Sequence, residues 1–197
     1  MDFELGEKEL SLKAEIARFA RDELPKDWVP PTIAEGGESG DFEFDMAVAK
    51  KLARKGWLVM SWPKEYGGQG ISVMEQTLYD QEISYWGIPG SMMGTSGVQW
   101  IGPSMMLFGS EEQKKKYLPL IASGEKDGVW CTGYSEPNAG SDFANIQTRA
   151  VRDGDDYIIS GQKTWTTYAH RARWCWLSSP ILMRLRRTAA SACVLWI

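Results

Sequence analysis

Histidine is nearly absent from this chain of 197 residues: the single one is His170. A lone histidine with no motif around it is expected at the surface, because catalysis demands neighbours that orient the ring. Cysteine is scarce as well, at Cys131, Cys175 and Cys193. The three are widely spaced and contain no C-x-x-C pair. They are expected to be ordinary buried thiols in a reducing compartment, with no disulfide framework and no metal site. No apolar run reaches the ~18 residues of a membrane span. The charged opening, Met1 to Leu12, lacks the apolar stretch of a signal peptide. A cytoplasmic protein is the expectation. An excess of one charge is also missing: 22 Lys and Arg face 26 Asp and Glu, for a net charge of -4. With the signs mixed and no basic stripe, neither a nucleic-acid partner nor a membrane surface is indicated. There is no G-x-G-x-x-G, so a Rossmann nucleotide site is not indicated either.

What is present is apolar material for a core, at 43% of residues, enough for one large domain or two small ones. Ten tryptophans are many. Trp100, Trp130 and Trp165 could line a ligand cavity, although core packing accounts for most large rings.

The first 125 residues read as helical. Leu12, Ile16, Phe19 and Ala20 make one face of a helix over 5–24, which Pro25 stops. Pro30-Pro31 and Gly36-Gly37 mark a loop over 25–41. A second helix over 43–55 carries Met46, Ala49, Leu52 and Ala53 on one side and ends at Gly56. Ser72-Val73-Met74-Glu75 and Ser110-Glu111-Glu112-Gln113 are capping boxes that open two further helices. Between them, 92–108 is apolar nearly all round and is expected to be a buried helix. Near residue 126 the period changes from 3.6 to 2. Strands are expected at Val129 to Tyr134, at Thr148 to Arg152 and Tyr157 to Ser160 around an Asp153-Gly154 turn, at Lys163 to Thr167, and at Arg173 to Leu177. The expected fold class is α+β: an all-helical N-terminal domain, 1–125, followed by a truncated β-barrel-like domain, 126–177.

Two segments of the β region are equipped for chemistry. In Thr132 to Asp142 (T-G-Y-S-E-P-N-A-G-S-D), Pro137, Asn138 and Gly140 force a turn. Such turns point backbone N–H groups outward, and Ser135 and Ser141 add hydroxyls. The loop suits a pyrophosphate or the polar edge of a flavin, though a plain polar turn has the same composition. In Gly161 to Thr167 (G-Q-K-T-W-T-T), Trp165 sets a flat apolar face among hydrogen-bonding hydroxyls, a combination that can pack on an isoalloxazine ring.

S-E-P-x-A-G-S-D followed by G-x-K-x-W-T-T resembles the acyl-CoA dehydrogenase family. The resemblance extends to Pro63 to Gly70 (P-K-E-Y-G-G-Q-G), Phe108 to Gln113 (F-G-S-E-E-Q) and Tyr117-Leu118-Pro119. It implies a helical domain, a β-barrel and a C-terminal helical bundle around FAD and an acyl-CoA thioester. It implies that Thr132, Tyr134 and Ser135 line the flavin, with Gly140 and Ser141 in the same loop. Trp165, Thr166 and Thr167 flank it, and Ser141 lies by both the FAD and the CoA moiety. The implied reaction is oxidation of a Cα–Cβ bond in fatty acid metabolism: a carboxylate takes the α-proton and the flavin takes the β-hydride. The implied partners are the acyl-CoA substrate, an electron-transfer flavoprotein and further copies of the chain in a homo-oligomer. An acyl-CoA oxidase or another flavoprotein of the superfamily, or a non-catalytic remnant that binds acyl-CoA or a subunit, is the alternative.

The resemblance also implies that the catalytic base is a Glu of the C-terminal bundle. None of the quoted residues is expected to be catalytic, and the chain by itself is expected to be an inactive fragment. Glu136 is expected to be a turn or helix-dipole partner. Residues 178–197 leave the pattern: Arg184, Arg186 and Arg187 cluster, and strand alternation is lost. Permitted codons for Pro180 to Ile197, read from the last base of the first, spell D-P-D-A-P-P-P-H-R-G-I-S-V-C-F-V-D. That is close to what the family carries after this strand. A frameshifted tail with no settled place in the core is therefore expected over 178–197.

Overall fold

The computed structural model describes residues 5–31, 39–90 and 95–179. The chain divides into two compact units, Met1–Gly128 and Val129–Ile197.

The first unit is helical: α1 (Glu7–Glu23), α2 (Phe42–Arg54), α3 (Val73–Trp86), α4 (Gly102–Phe108) and α5 (Glu111–Ala122). α1 stops where Pro25 forces its neighbour Leu24 into extended backbone. The Asp41 side chain starts α2 by accepting from the Glu43 and Phe44 amides at 3.0 and 3.2 Å. Both expected capping boxes form, Ser72 with Glu75 on α3 and Ser110 with Gln113 on α5. The core gathers Ile16 and Phe19 of α1, Val48 and Leu52 of α2, Trp57, and Tyr79 and Ile83 of α3. Two ion pairs tie α1 to α3: Lys8 to Glu75 at 2.5 Å and Lys13 to Glu82 at 2.9 Å. Hydrogen bonds from Lys8 and Ser72 lower the Glu75 carboxyl to about 2.

The 92–108 stretch departs from the expectation of one buried helix. Residues 92–94 lie outside the described residues. Thr95–Ile101 is wound as a wider π-helix that runs into α4. Ile101, Gly102 and Met105 meet the core: all three are buried, and a Cβ at Gly102 would overlap the Trp62 ring at 2.1 Å. The Trp62 indole N–H donates to Val98 O at 3.0 Å. Ile101 and Met105 are buried on one side while Trp100, Leu107 and Phe108 face outward, so apolar composition all round did not mean burial all round.

The second unit holds two small sheets. β1 (Trp130–Gly133) pairs in parallel with β4 (Trp174–Leu177). β2 (Arg149–Asp153) and β3 (Asp156–Ser160) form the expected hairpin, closed by Gly154 at φ 63. No closed barrel forms among the described residues. The expected strand over Lys163 to Thr167 is replaced by turns: φ is 59 at Trp165 and 63 at Tyr168, and the Thr167 amide bonds back to Trp165 O at 3.0 Å. Left-handed backbone cannot continue a β ladder. Ser178 and Ser179, expected to lack a settled place, are buried. The Ser178 amide extends the β1–β4 pairing by donating to Gly133 O at 3.1 Å. The Ser179 hydroxyl donates to Thr148 O at 2.8 Å. The rest of the expected frameshifted tail, 180–197, lies outside the described residues. No helix among the described residues is long and apolar enough to cross a membrane.

Candidate functional site

The two chemically equipped segments lie side by side. Past the end of β1 the chain turns tightly: Glu136 and Ala139 exchange backbone hydrogen bonds of 2.8 and 3.1 Å around Pro137-Asn138. The Thr164 amide donates to Ser135 O at 2.9 Å. The Lys163 ammonium donates to Tyr134 O at 3.0 Å and to Glu136 Oε1 at 2.9 Å. The run Thr132 to Ser135 is thereby tied to the turn that carries Trp165.

Glu136 is the anchor. Its Oε1 also accepts from the Thr148 amide at 2.8 Å, and its Oε2 accepts from the Gln147 amide at 2.6 Å. Burial alone would push this carboxyl up, but donation from Thr148, Gln147 and Lys163 outweighs it and lowers the group to about 2. Glu136 is thus the turn partner that sequence analysis allowed. It holds the start of the β2 segment as well as its own turn, and it sits at no helix end. As an acceptor held ionised near neutral pH by three donors, it is poorly suited to remove a proton. Gly161 completes the join, because a Cβ there would meet the Thr148 side-chain oxygen at 2.4 Å and its Cα at 2.7 Å.

The residues singled out from sequence fall around this anchor. Thr132 is half-buried on β1, opposite Trp176. Tyr134 is half-buried, edge-on to Phe143 at 6.1 Å, and burial raises its phenol. Ser135 and Thr166 are half-buried, and Thr167 is exposed. Trp165 is 90% exposed. Gly140 and Ser141 follow the Glu136–Ala139 turn, exposed, and the ties to Lys163 and Thr164 do not include them. A Cβ at Gly140 would meet nothing within 4 Å. Trp130 is core, and His170 is exposed within the turns after Trp165.

Sequence reasoning missed Lys163, Thr164 and Thr148. Nothing in a local pattern signals that a lysine will reach back to a glutamate in another segment. Thr164 matters because its hydroxyl oxygen is buried with no hydrogen-bond partner among the described residues. An unsatisfied buried hydroxyl is uncommon and asks for a ligand or a partner. Next to it in the chain stands the exposed indole of Trp165. Those features fit a flat heteroaromatic ring with a polar rim, which is what FAD offers. Among the described residues no cluster of His, Cys, Asp and Glu could hold a metal ion.

Comparison with known proteins identifies the family. Residues 6–125 match the acyl-CoA dehydrogenase N-terminal domain and residues 131–194 match the acyl-CoA dehydrogenase middle domain. The chain is 44% identical over 142 residues to acyl-CoA dehydrogenase FadE26 of Mycobacterium tuberculosis, covering 72% of this chain and 34% of that protein. The solved Tcur3481-Tcur3483 steroid ACAD is 39% identical with a TM-score of 0.80, over 95% of this chain and 47% of that one. A glutaryl-CoA dehydrogenase of Mycobacterium smegmatis in complex with FADH2 is 28% identical with a TM-score of 0.68, over 90% of this chain and 43% of that one. The chain thus spans less than half the length of these proteins. Two consecutive family domains, matched in order over most of its residues and meeting where the helical unit gives way to the β unit, place the chain in the acyl-CoA dehydrogenase family.

Proposed function

We propose that this chain supplies the flavin-facing wall of an FAD-dependent enzyme that oxidises the Cα–Cβ bond of an acyl-CoA thioester. The observation that carries the reading is the tie between the two motifs. Ser135 to Thr164, and Lys163 to Tyr134 and Glu136, hold a hydroxyl-bearing strand end against an exposed tryptophan. When bound, FAD would accept the hydride from the β-carbon. Thr132, Tyr134, Ser135, Gly140 and Ser141 would hold its polar edge, and Trp165, Thr166 and Thr167 would flank the ring. Ser141 would also meet the CoA moiety.

The α-proton needs a base whose pKa sits near the working pH. Glu136 is the carboxylate held inside the tie, and its three donors leave it unfit for that task. The base is therefore proposed to come from outside the residues described here. The whole protein would pass its electrons to an electron-transfer flavoprotein and work as an oligomer.

The acyl group admits a second reading. The steroid enzyme is 39% identical to this chain, against 28% for the glutaryl-CoA dehydrogenase. This difference favours a bulky polycyclic acyl-CoA over a short one.

The test is FAD binding followed by isotope-free turnover assays on the complete protein. Yellow protein that bleaches on adding an acyl-CoA, with electrons recovered on an artificial acceptor, is expected. Trp165→Ala and Ser135→Ala are expected to lower flavin retention. Colourless protein that binds no added FAD would overturn the reading. Comparing straight-chain with steroid side-chain CoA esters decides between the two acyl classes.

A further inference from the structure

Cys131 and Cys175 are far apart in sequence but adjacent in the fold. They are register partners across the parallel β1–β4 pair, so their side chains leave the same face of the sheet. Both are free thiols, Cys131 buried and Cys175 half-buried. The interaction between the two thiols raises Cys131 and lowers Cys175. Neighbouring strands lie about 4.8 Å apart, which is inside the Cα separation of about 4.4–6.8 Å that a disulfide bridges.

We propose that Cys131 and Cys175 form a redox-sensitive dithiol that closes to a disulfide on reaction with a hydroperoxide. The environment divides the labour. Cys175 is the nucleophile: Cys131 and the Gly133 amide favour its thiolate, and the Lys163 ammonium adds its field. These influences oppose burial and lower its pKa below that of an ordinary thiol. Cys131 is raised by its interaction with Cys175 and by burial, so it keeps its proton and waits as the resolving thiol. In the first step the Cys175 thiolate attacks a peroxide oxygen. An S–O bond forms, the O–O bond breaks, and the leaving oxygen takes a proton as water or an alcohol. In the second step the Cys131 sulfur attacks the Cys175 sulfenic sulfur. The S–S bond forms, the S–O bond breaks, and water leaves with the Cys131 proton. Two thiols are oxidised by two electrons and one hydroperoxide is reduced.

The bond is expected to be reversible. In-register β neighbours hold their Cβ atoms slightly wider than a relaxed disulfide wants, and a strained bond is more easily reduced. Lys163 serves this site and the flavin site alike, but closing the disulfide needs only the β1–β4 pair and its test does not depend on flavin binding.

The experiment uses the full chain with Cys193→Ser, which removes the third thiol. The protein is exposed to hydrogen peroxide, unfolded in a thiol-alkylating reagent and analysed by mass spectrometry. The expected result is a mass lower by two hydrogen atoms, loss of alkylation at both cysteines, a cross-linked peptide joining Cys131 to Cys175, and full reversal by dithiothreitol. With Cys131→Ser, and separately Cys131→Ala, Cys175 is expected to stop at a sulfenic acid that a dione probe traps. Circular dichroism checks that each variant is folded. Two outcomes overturn the proposal: both cysteines remain alkylatable after peroxide, or Cys175 is over-oxidised while Cys131 stands intact beside it.

Discussion

The Glu136 carboxylate and the Lys163 ammonium form an ion pair of 2.9 Å whose side chains are only 7% and 10% exposed. The pair joins the S-E-P turn to the G-x-K-x-W segment. Each partner also has backbone company: Gln147 and Thr148 donate to the glutamate, and Tyr134 O accepts from the lysine. A buried pair with its remaining hydrogen-bonding capacity satisfied offsets its own desolvation. Removing one partner leaves the other charged and buried.

Glu136→Gln is therefore expected to destabilise the chain by about 3–5 kcal/mol, the usual cost of breaking a buried pair from one side. Lys163→Met should cost a comparable amount, and the double variant should cost less than the sum. Urea unfolding of the four proteins measures this. Additive losses would mean that the two residues act separately, against the geometry described.

The same carboxylate sets a pH dependence. Its folded pKa is lowered to about 2, against an ordinary value of 4.5. A depressed carboxyl contributes stability that is fully present above the unfolded pKa and is lost as pH falls toward the folded one. Unfolding free energy should thus decline between about pH 5 and pH 2. The decline should be shallower in Glu136→Gln. Glu75, also lowered to about 2 by Lys8 and Ser72, contributes in the same direction, so some slope should survive in the variant. An identical slope with and without Glu136 would contradict the assignment.

The helical unit was largely legible in the sequence because its signals are local. Ser72 and Glu75 meet within one turn, and Ile16, Phe19 and Ala20 repeat at helical spacing and are buried. The hairpin around Gly154 was legible for the same reason. The candidate site was legible only as two segments. Their union depends on Lys163 reaching Glu136 and Thr164 reaching Ser135, contacts set by tertiary structure and carried by no local period. The Lys163 to Thr167 strand was misread because alternating Thr and Trp has strand composition, and no residue type in the segment signals the positive φ that Trp165 takes. Cys131 and Cys175 were read as unrelated thiols, since a parallel pairing brings together residues that sequence spacing separates.

Two glycines should respond oppositely to one methyl group. Gly161→Ala places a Cβ 2.4 Å from the Thr148 side-chain oxygen and 2.7 Å from its Cα. Because the obstacle includes backbone, a loss of about 1–3 kcal/mol is expected, as for other overpacked sites. Gly140→Ala meets nothing within 4 Å, and its stability should be unchanged or slightly raised through a stiffer unfolded chain. Thermal unfolding of both variants checks the contrast. If Gly140 borders bound FAD, its variant alone should lose flavin while keeping its melting temperature.

Trp165 combines exposure with backbone strain. At φ 59 it occupies the left-handed region, and its side chain is 90% exposed. A bulky residue held there costs about 1–2 kcal/mol relative to right-handed backbone, and burial returns little of it in the chain as described. Such strain collects at sites where the conformation serves a ligand. Trp165→Gly should relieve the strain and raise the unfolding free energy by about 1 kcal/mol. The same change removes the aromatic face, so FAD retention should fall by about tenfold, the equivalent of one aromatic contact. Thermal unfolding without flavin and fluorescence titration with FAD give the two numbers separately. A gain in stability with unchanged FAD affinity would remove Trp165 from the flavin site. A loss in stability would mean that its ring packs in the apo fold, against the exposure seen here.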